Sequence, residues 1–134
     1  METQTSSESE QQTLEHFAIA LPKVDQLAEY CPQYHRAMGI IGKKWTGSIL
    51  RVLIHRAHHY NEILLAIPGI SDRLLTERLR DLETEGLVVR RIASTSPVRV
   101  EYELTAAGQE LDLAIRAISV WAVKWLLTGL SVFS

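Results

Sequence analysis

The sequence lacks most of what would place it outside a reducing compartment or inside a membrane. Its 134 residues include one cysteine, Cys31. A single thiol cannot form an intramolecular disulfide, and it excludes the paired CxxC motifs of zinc and redox sites. No apolar run approaches the ~20 residues a membrane span needs. The opening METQTSSESEQQ has neither the basic nor the apolar region of a secretory signal. A soluble, cytoplasmic chain is the expectation. There is no Gly-rich phosphate loop, no GxSxG and no HExxH, so neither an enzyme nor a cofactor is expected. What is abundant is ordinary. Hydrophobic residues make up 46% of the chain, enough for one core at a length that suits one domain.

A large charge of one sign is also missing, since the net charge is −2. On its face this speaks against a nucleic-acid partner. The average hides a segregation. Residues 1–30 hold six acids against Lys23, a net −5, and the remainder carries +3. Residues 36–99 hold eleven basic and six acidic groups, with His35, His55, His58 and His59 alongside. A basic body behind an acidic arm is compatible with a nucleic-acid partner for the body. Many solvated surfaces carry a similar excess.

Residues 1–13 are Ser, Thr, Glu and Gln without apolar periodicity, and predict a disordered acidic tail. An N-terminal arm follows at 14–30. Within it Leu14, Phe17, Ile19 and Leu21 form an apolar patch, and 24–30 suits a short helix stopped before Pro32. The domain proper spans 31–127, and 128–134 reads as a tail. Helices are predicted at 33–41, with Tyr34, Ala37, Met38 and Ile41 on one face, at 44–55, with Trp45, Ile49, Val52 and Leu53 inward, and at 60–67, with Ile63, Leu64 and Ile67 inward. Pro68-Gly69 forces a turn. The helix at 71–85 has the clearest signals: Ser71 as N-cap, Asp72 at the positive end of the dipole, a Leu75, Leu79, Leu82 stripe, and Gly86 just past its end. Strands at 87–93 and 98–104 flank a polar tip at 94–97. Thr105 caps a last helix running to about Leu127. The fold class is mainly α with a small β-hairpin (α+β).

A short helix, a tight turn and a polar-faced helix make a helix-turn-helix, and the adjoining hairpin makes a wing. The face of 71–85 opposite its stripe carries Arg73, Thr76, Glu77 and Arg80. Arg73 and Arg80 suit guanine, Thr76 offers a hydroxyl and a methyl, and Glu77 accepts from cytosine. Ser71 and Asp72 stand at the helix start, where a phosphate would lie. Arg90, Arg91 and Arg99 in the hairpin suit phosphates or the adjacent minor groove. Taken alone, the helix face could equally be a solvated surface, and the hairpin arginines a charged edge that discourages strand pairing.

Several segments carry a family resemblance. Cys31-Pro32, Gly42-Lys43-Lys44-Trp45-Thr46 and Ile49-Leu50 resemble the CP…GGKWT..IL opening of HxlR-type regulators, relatives of the MarR group. His59-Tyr60-Asn61-Glu62-Ile63 resembles their RFNEL segment. Pro68-Gly69-Ile70-Ser71 followed by Leu75-Thr76-Glu77-Arg78-Leu79-Arg80 resembles PGIS..LT.RLR, and Val100-Glu101-Tyr102-Glu103-Leu104-Thr105 resembles VEYSLT. The match covers about residues 31–125 in order. The resemblance implies a bacterial winged helix-turn-helix transcription regulator with N- and C-terminal dimerisation helices, binding double-stranded DNA as a homodimer at the nucleoid. It places the dimer interface on the last helix, at Leu111, Ile115, Ile118, Trp121, Ala122 and Trp125. It makes Cys31 a candidate redox- or electrophile-sensing thiol. Two departures stand out: Lys43 replaces the second glycine, and His59 replaces the arginine before the aromatic, where it would hold a DNA phosphate best when protonated.

Cys31 precedes a helix with His35 and Arg36 close in sequence, a setting that makes thiols reactive. The alternative is a small apolar residue. His55, His58 and His59 do not predict a metal site, which needs three or four converging ligands. Two other functions stay open: a regulator with a small aromatic or aldehyde effector near Trp45, and a winged-helix protein-interaction module without DNA.

Overall fold

The computed structural model describes residues 29–133, with side chains as far as Leu126. The expected tail at 1–13, and the arm at 14–30 except its last two residues, lie outside the described residues. The elements are α1 (Pro32–Ile41), α2 (Thr46–His55), β1 (His58–His59), α3 (Tyr60–Ala66), α4 (Asp72–Thr84), β2 (Val88–Thr95), β3 (Val98–Leu104), α5 (Ala106–Gln109) and α6 (Asp112–Phe133). The fold divides between His35 and Arg36, inside α1, and the hydrophobic core belongs to the second unit. That core joins Ile49, Leu50 and Leu53 of α2, Ile63 of α3, the Leu75, Leu79, Leu82 stripe of α4, Val88, Tyr102 and Leu104 of the sheet, and Ile115 of α6.

Local signals place α4 well. Ser71 Oγ accepts the Leu74 N–H at 3.1 Å, closing the N-terminus. Gly86 takes φ +74, and the Leu87 N–H reaches back to the Leu82 carbonyl at 2.9 Å. Together these satisfy carbonyls that the helix end would leave open.

The structure departs from the sequence reading where geometry is set at long range. The hairpin is part of a three-stranded antiparallel sheet ordered β1-β3-β2. Two residues suffice for β1, because His58 and His59 lie opposite Tyr102 and Glu101. The tip shrinks from 94–97 to Ser96-Pro97, since Ser94 and Thr95 pair with Arg99 and Val98 across a bulge after Ile92. The second helix starts at Thr46, not at 44, because Trp45 sits in the left-handed region at φ +79. A helix cannot continue through that conformation. A Cβ on Gly69 (φ +93) would stand 3.4 Å from Trp45 Cη2, so the indole lies beside the helix-turn-helix turn.

The last helix is two helices. Thr105 does cap, accepting the Gly108 N–H at 3.2 Å, but its hydroxyl also donates to the Gly86 carbonyl at 2.6 Å. A Cβ at Gly108 would collide with the Leu87 carbonyl. This pins α5 against the end of α4 before α6 departs. α6 then runs to Phe133, past the expected helix end near Leu127. Leu130, Val132 and Phe133 continue its apolar composition with no proline to stop it. In α1 no residue is buried, and the expected apolar face is open at Tyr34 and Met38.

Candidate nucleic-acid interface

The sheet and α2 hold α4 by its leucine stripe and leave its opposite face outward. At ~100° per residue, Arg73, Glu77 and Arg80 lie on the face opposite the stripe. Arg73 is 89% exposed and meets Glu77 only at 3.5 Å. An exposed pair of this kind is worth little and exchanges readily for a phosphate or base. Arg80 is exposed and has no ion-pair partner among the described residues.

The two flanks of α4 are tied down differently. On one, Tyr60 Oη lies 3.0 Å from the Asp72 carbonyl, 3.0 Å from Asp72 Oδ1 and 3.1 Å from Thr76 Oγ1. Burial, together with the bond to Asp72, pushes the phenol pKa above its ordinary 10. It therefore stays a proton donor at neutral pH. Asp72 and Thr76, expected at the DNA, thus also fasten α3 to the first turn of α4. On the other flank Arg78, only 18% exposed, donates to the Lys44 carbonyl at 2.9 Å and pairs with Asp81 at 3.4 Å. Lys43 meets the same Asp81 carboxylate at 3.3 Å, and Arg36 meets Glu85 at 3.2 Å. The residue in place of the family's second glycine thus has a structural partner. The sequence reading passed over Arg78 and Tyr60. For Arg78 a signal existed, its spacing of three from Leu75, which turns it toward the protein.

The pleat of β2 separates Arg90 from Arg91. Arg90 and Arg99 line an open cleft of about 580 Å3 with His59, Tyr60, Asn61 and Glu62. Neither arginine has an ion-pair partner among the described residues. Arg91 points to the other face, where Glu103 holds it at 2.7 Å. The structure thus brings Arg90, Arg99 and His59 together at the foot of α3 and leaves Arg91 out.

The same foot carries a fixed carboxylate. Glu62 accepts the His59 N–H at 2.9 Å and the Arg56 guanidinium at 2.8 Å. Those two bonds lower its pKa from 4.5 to about 2. A depressed carboxylate pKa stabilises the fold above the unfolded value and loses that contribution as pH falls through the folded one. Urea unfolding of the native protein and of Glu62→Gln should therefore differ by a constant amount above about pH 4.5. The difference should shrink steadily toward pH 2. A gap independent of pH would show that the ion pair contributes nothing.

Cys31 is exposed, and its Sγ accepts the Tyr34 N–H at 3.4 Å in the first turn of α1. Among the described residues no three His, Cys, Asp or Glu side chains group to hold a metal, and no helix is long and apolar enough to cross a membrane. Of the residues expected at a dimer interface, Ile115 is buried and Leu111 packs beside it, both on the chain's own core. Ile118, Trp121 and Trp125 continue the same stripe beyond that core and are 55–58% exposed. Ala122 between them is half-buried.

A helix-turn-helix with a basic outer face, a β wing beside it and a projecting apolar helix define a DNA-binding transcription regulator of the winged helix class. The family model described as "HxlR-like helix-turn-helix" matches residues 40–129. The chain belongs to that family. It is 39% identical over 99 residues to the uncharacterized regulator YvaP of Bacillus subtilis, covering 74% of this chain and 92% of that one. It is 35% identical over 99 residues to the regulator YodB of the same organism, covering 74% and 88%. Among solved structures, a MarR-family regulator from Porphyromonas gingivalis superposes with a TM-score of 0.68 at 33% identity, over 78% of this chain and 99% of that one. Quinone-bound YodB superposes at 0.62 and 34% identity, over 71% and 100%. The redox regulator HypR in its oxidized form superposes at 0.66 and 33%, over 70% and 96%.

Proposed function

We infer that the chain is a cytoplasmic, homodimeric repressor that reads a pseudo-palindromic operator through two copies of α4, with the wing on the adjacent backbone. The outer face of α4 carries this reading: Arg80 has no ion-pair partner among the described residues and Arg73 has only its weak exposed pair with Glu77, on a helix whose other flanks are fastened. Half-sites should lie about one helical turn (~34 Å) or a multiple apart. A dimer seated there would block a promoter sterically. Replacing Arg73 or Arg80 with alanine should cost about 1–3 kcal/mol per lost base contact and relax specificity at that position. Binding to randomised operators at two salt concentrations is the measurement. Equal loss on all sequences would make these arginines phosphate clamps. Failure of the native protein to form any promoter-specific complex at low salt would favour a protein-interaction module.

The signal in this reading is thiol chemistry at Cys31. Its support is the exposed Sγ at the start of α1, together with relatives solved in oxidized and quinone-bound forms. With diamide, two Cys31 thiols of a dimer would give up two protons and two electrons to the reagent and join as a disulfide. Operator binding should fall on diamide or quinone treatment of the native protein and persist in Cys31→Ser. An identical response in both proteins would instead favour a non-covalently bound aromatic or aldehyde effector.

A further inference from the structure

We propose that Tyr60 is a specificity-determining residue, acting through Thr76 to set which base edges α4 accepts. This role rests on α4 being the recognition helix and follows from the number of protons available. The Tyr60 hydroxyl has one proton and three neighbours within 3.1 Å. Two of those neighbours, the main-chain carbonyl and Oδ1 of Asp72, can only accept, whereas Thr76 can also donate. The Tyr60 proton therefore goes to Asp72. The contact with Thr76 then requires that Thr76 donate its own single proton to the Tyr60 oxygen. Thr76 is left on the exposed side of the helix with lone pairs and a methyl, and no donor.

That inventory discriminates. In the major groove guanine presents only acceptors, N7 and O6. A Thr76 without a free proton has nothing to offer them. Adenine N6 and cytosine N4 present donors that its lone pairs accept, and the thymine methyl packs against its methyl. The family pattern has phenylalanine where this chain has Tyr60, so the hydroxyl relay is a feature of this chain within the resemblance described above. A threonine beside phenylalanine keeps its proton for the DNA.

The test is base preference, measured by binding selection on randomised duplexes with the full chain. Four proteins are compared: native, Tyr60→Phe, Thr76→Val and the double variant. The native protein should discriminate against guanine at one position in each half-site. Tyr60→Phe should reduce that discrimination about fivefold, the worth of one ordinary hydrogen bond. The salt slope and all other positions should stay unchanged. Thr76→Val keeps the methyl and replaces the hydroxyl with a second one, removing the relay, so adding Tyr60→Phe to it should change no base preference. Sequence-specific binding by the native protein with an unaltered Tyr60→Phe profile overturns the proposal and leaves the recognition helix intact. The same holds if Tyr60→Phe shifts preference equally in the Thr76→Val background, or weakens all sites uniformly with a loss of thermal stability. If the native protein selects no sequence at all, both this proposal and the function it rests on fall.

Discussion

A chain carrying Trp121→Glu and Trp125→Glu is expected to run as a 15.1 kDa monomer where the native protein runs at twice that mass. The reason is the course of one apolar stripe. From Leu111, just ahead of α6, Ile115, Ile118, Ala122 and Trp125 follow at spacings of three and four. The first two lie on the chain's own core. From Ile118 onward the stripe continues, and Ile118, Trp121, Trp125 and Leu126 all stand 55–58% exposed. Single exposed apolar residues are commonplace, but a contiguous face of large ones marks an association surface. Burying a large apolar side chain is worth about 1.5–3 kcal/mol, so covering this face twice over drives association strongly. A second copy is the economical cover, since a two-fold dimer sets the same face against itself.

The consequence for DNA is larger than for mass. Two linked half-site readers gain about 10²–10⁴-fold over one through effective concentration. The double glutamate variant should lose operator affinity by that order while α4 stays folded. Light scattering and a gel-shift titration read the two effects together. A dimer that survives the two glutamates would move the interface off α6.

The readable parts of the fold and the interface are those whose causes are local. α4 shows in the sequence because its cap, stripe and terminal glycine all fall within residues 71–86. Arg73 and Arg80 follow directly from that helix by angle. The parts that escaped depend on distant partners. β1 is two histidines, and only Tyr102 and Glu101 across the sheet make it a strand. The break between α5 and α6 leaves the hydrophobic period unbroken; it comes from Gly108 pressed against the Leu87 carbonyl. Arg91 reads like Arg90 in composition, yet the pleat sends it to Glu103. Nothing local marks Tyr60, whose hydroxyl meets Asp72 and Thr76 only because the fold sets α3 against the start of α4. Trp45 stands in a left-handed conformation that favours glycine, so propensity argues for the helix start at 44 that the structure lacks.

Leu79→Ala is expected to cost about 2–5 kcal/mol, the range for emptying a fully buried leucine site. Leu79 is 1% exposed at the middle of the α4 stripe, between Leu75 and Leu82. For a domain of this size each kcal/mol moves the melting temperature by roughly 4–8 °C, so a fall of roughly 8–40 °C should be seen by calorimetry. The matched control is Leu65→Ala. Leu65 is the same residue on a neighbouring helix of the same motif, yet it is 84% exposed. Its loss should stay within about 0.5 kcal/mol. The contrast matters for function because α4 carries its buried stripe and its DNA-facing residues on opposite sides of one rigid element. A cavity under Leu79 loosens the seat that aims Arg73 and Arg80, so operator affinity should fall before the domain unfolds. If both leucine variants melt alike, α4 is not held by its stripe, and the outward face of its arginines loses its structural basis.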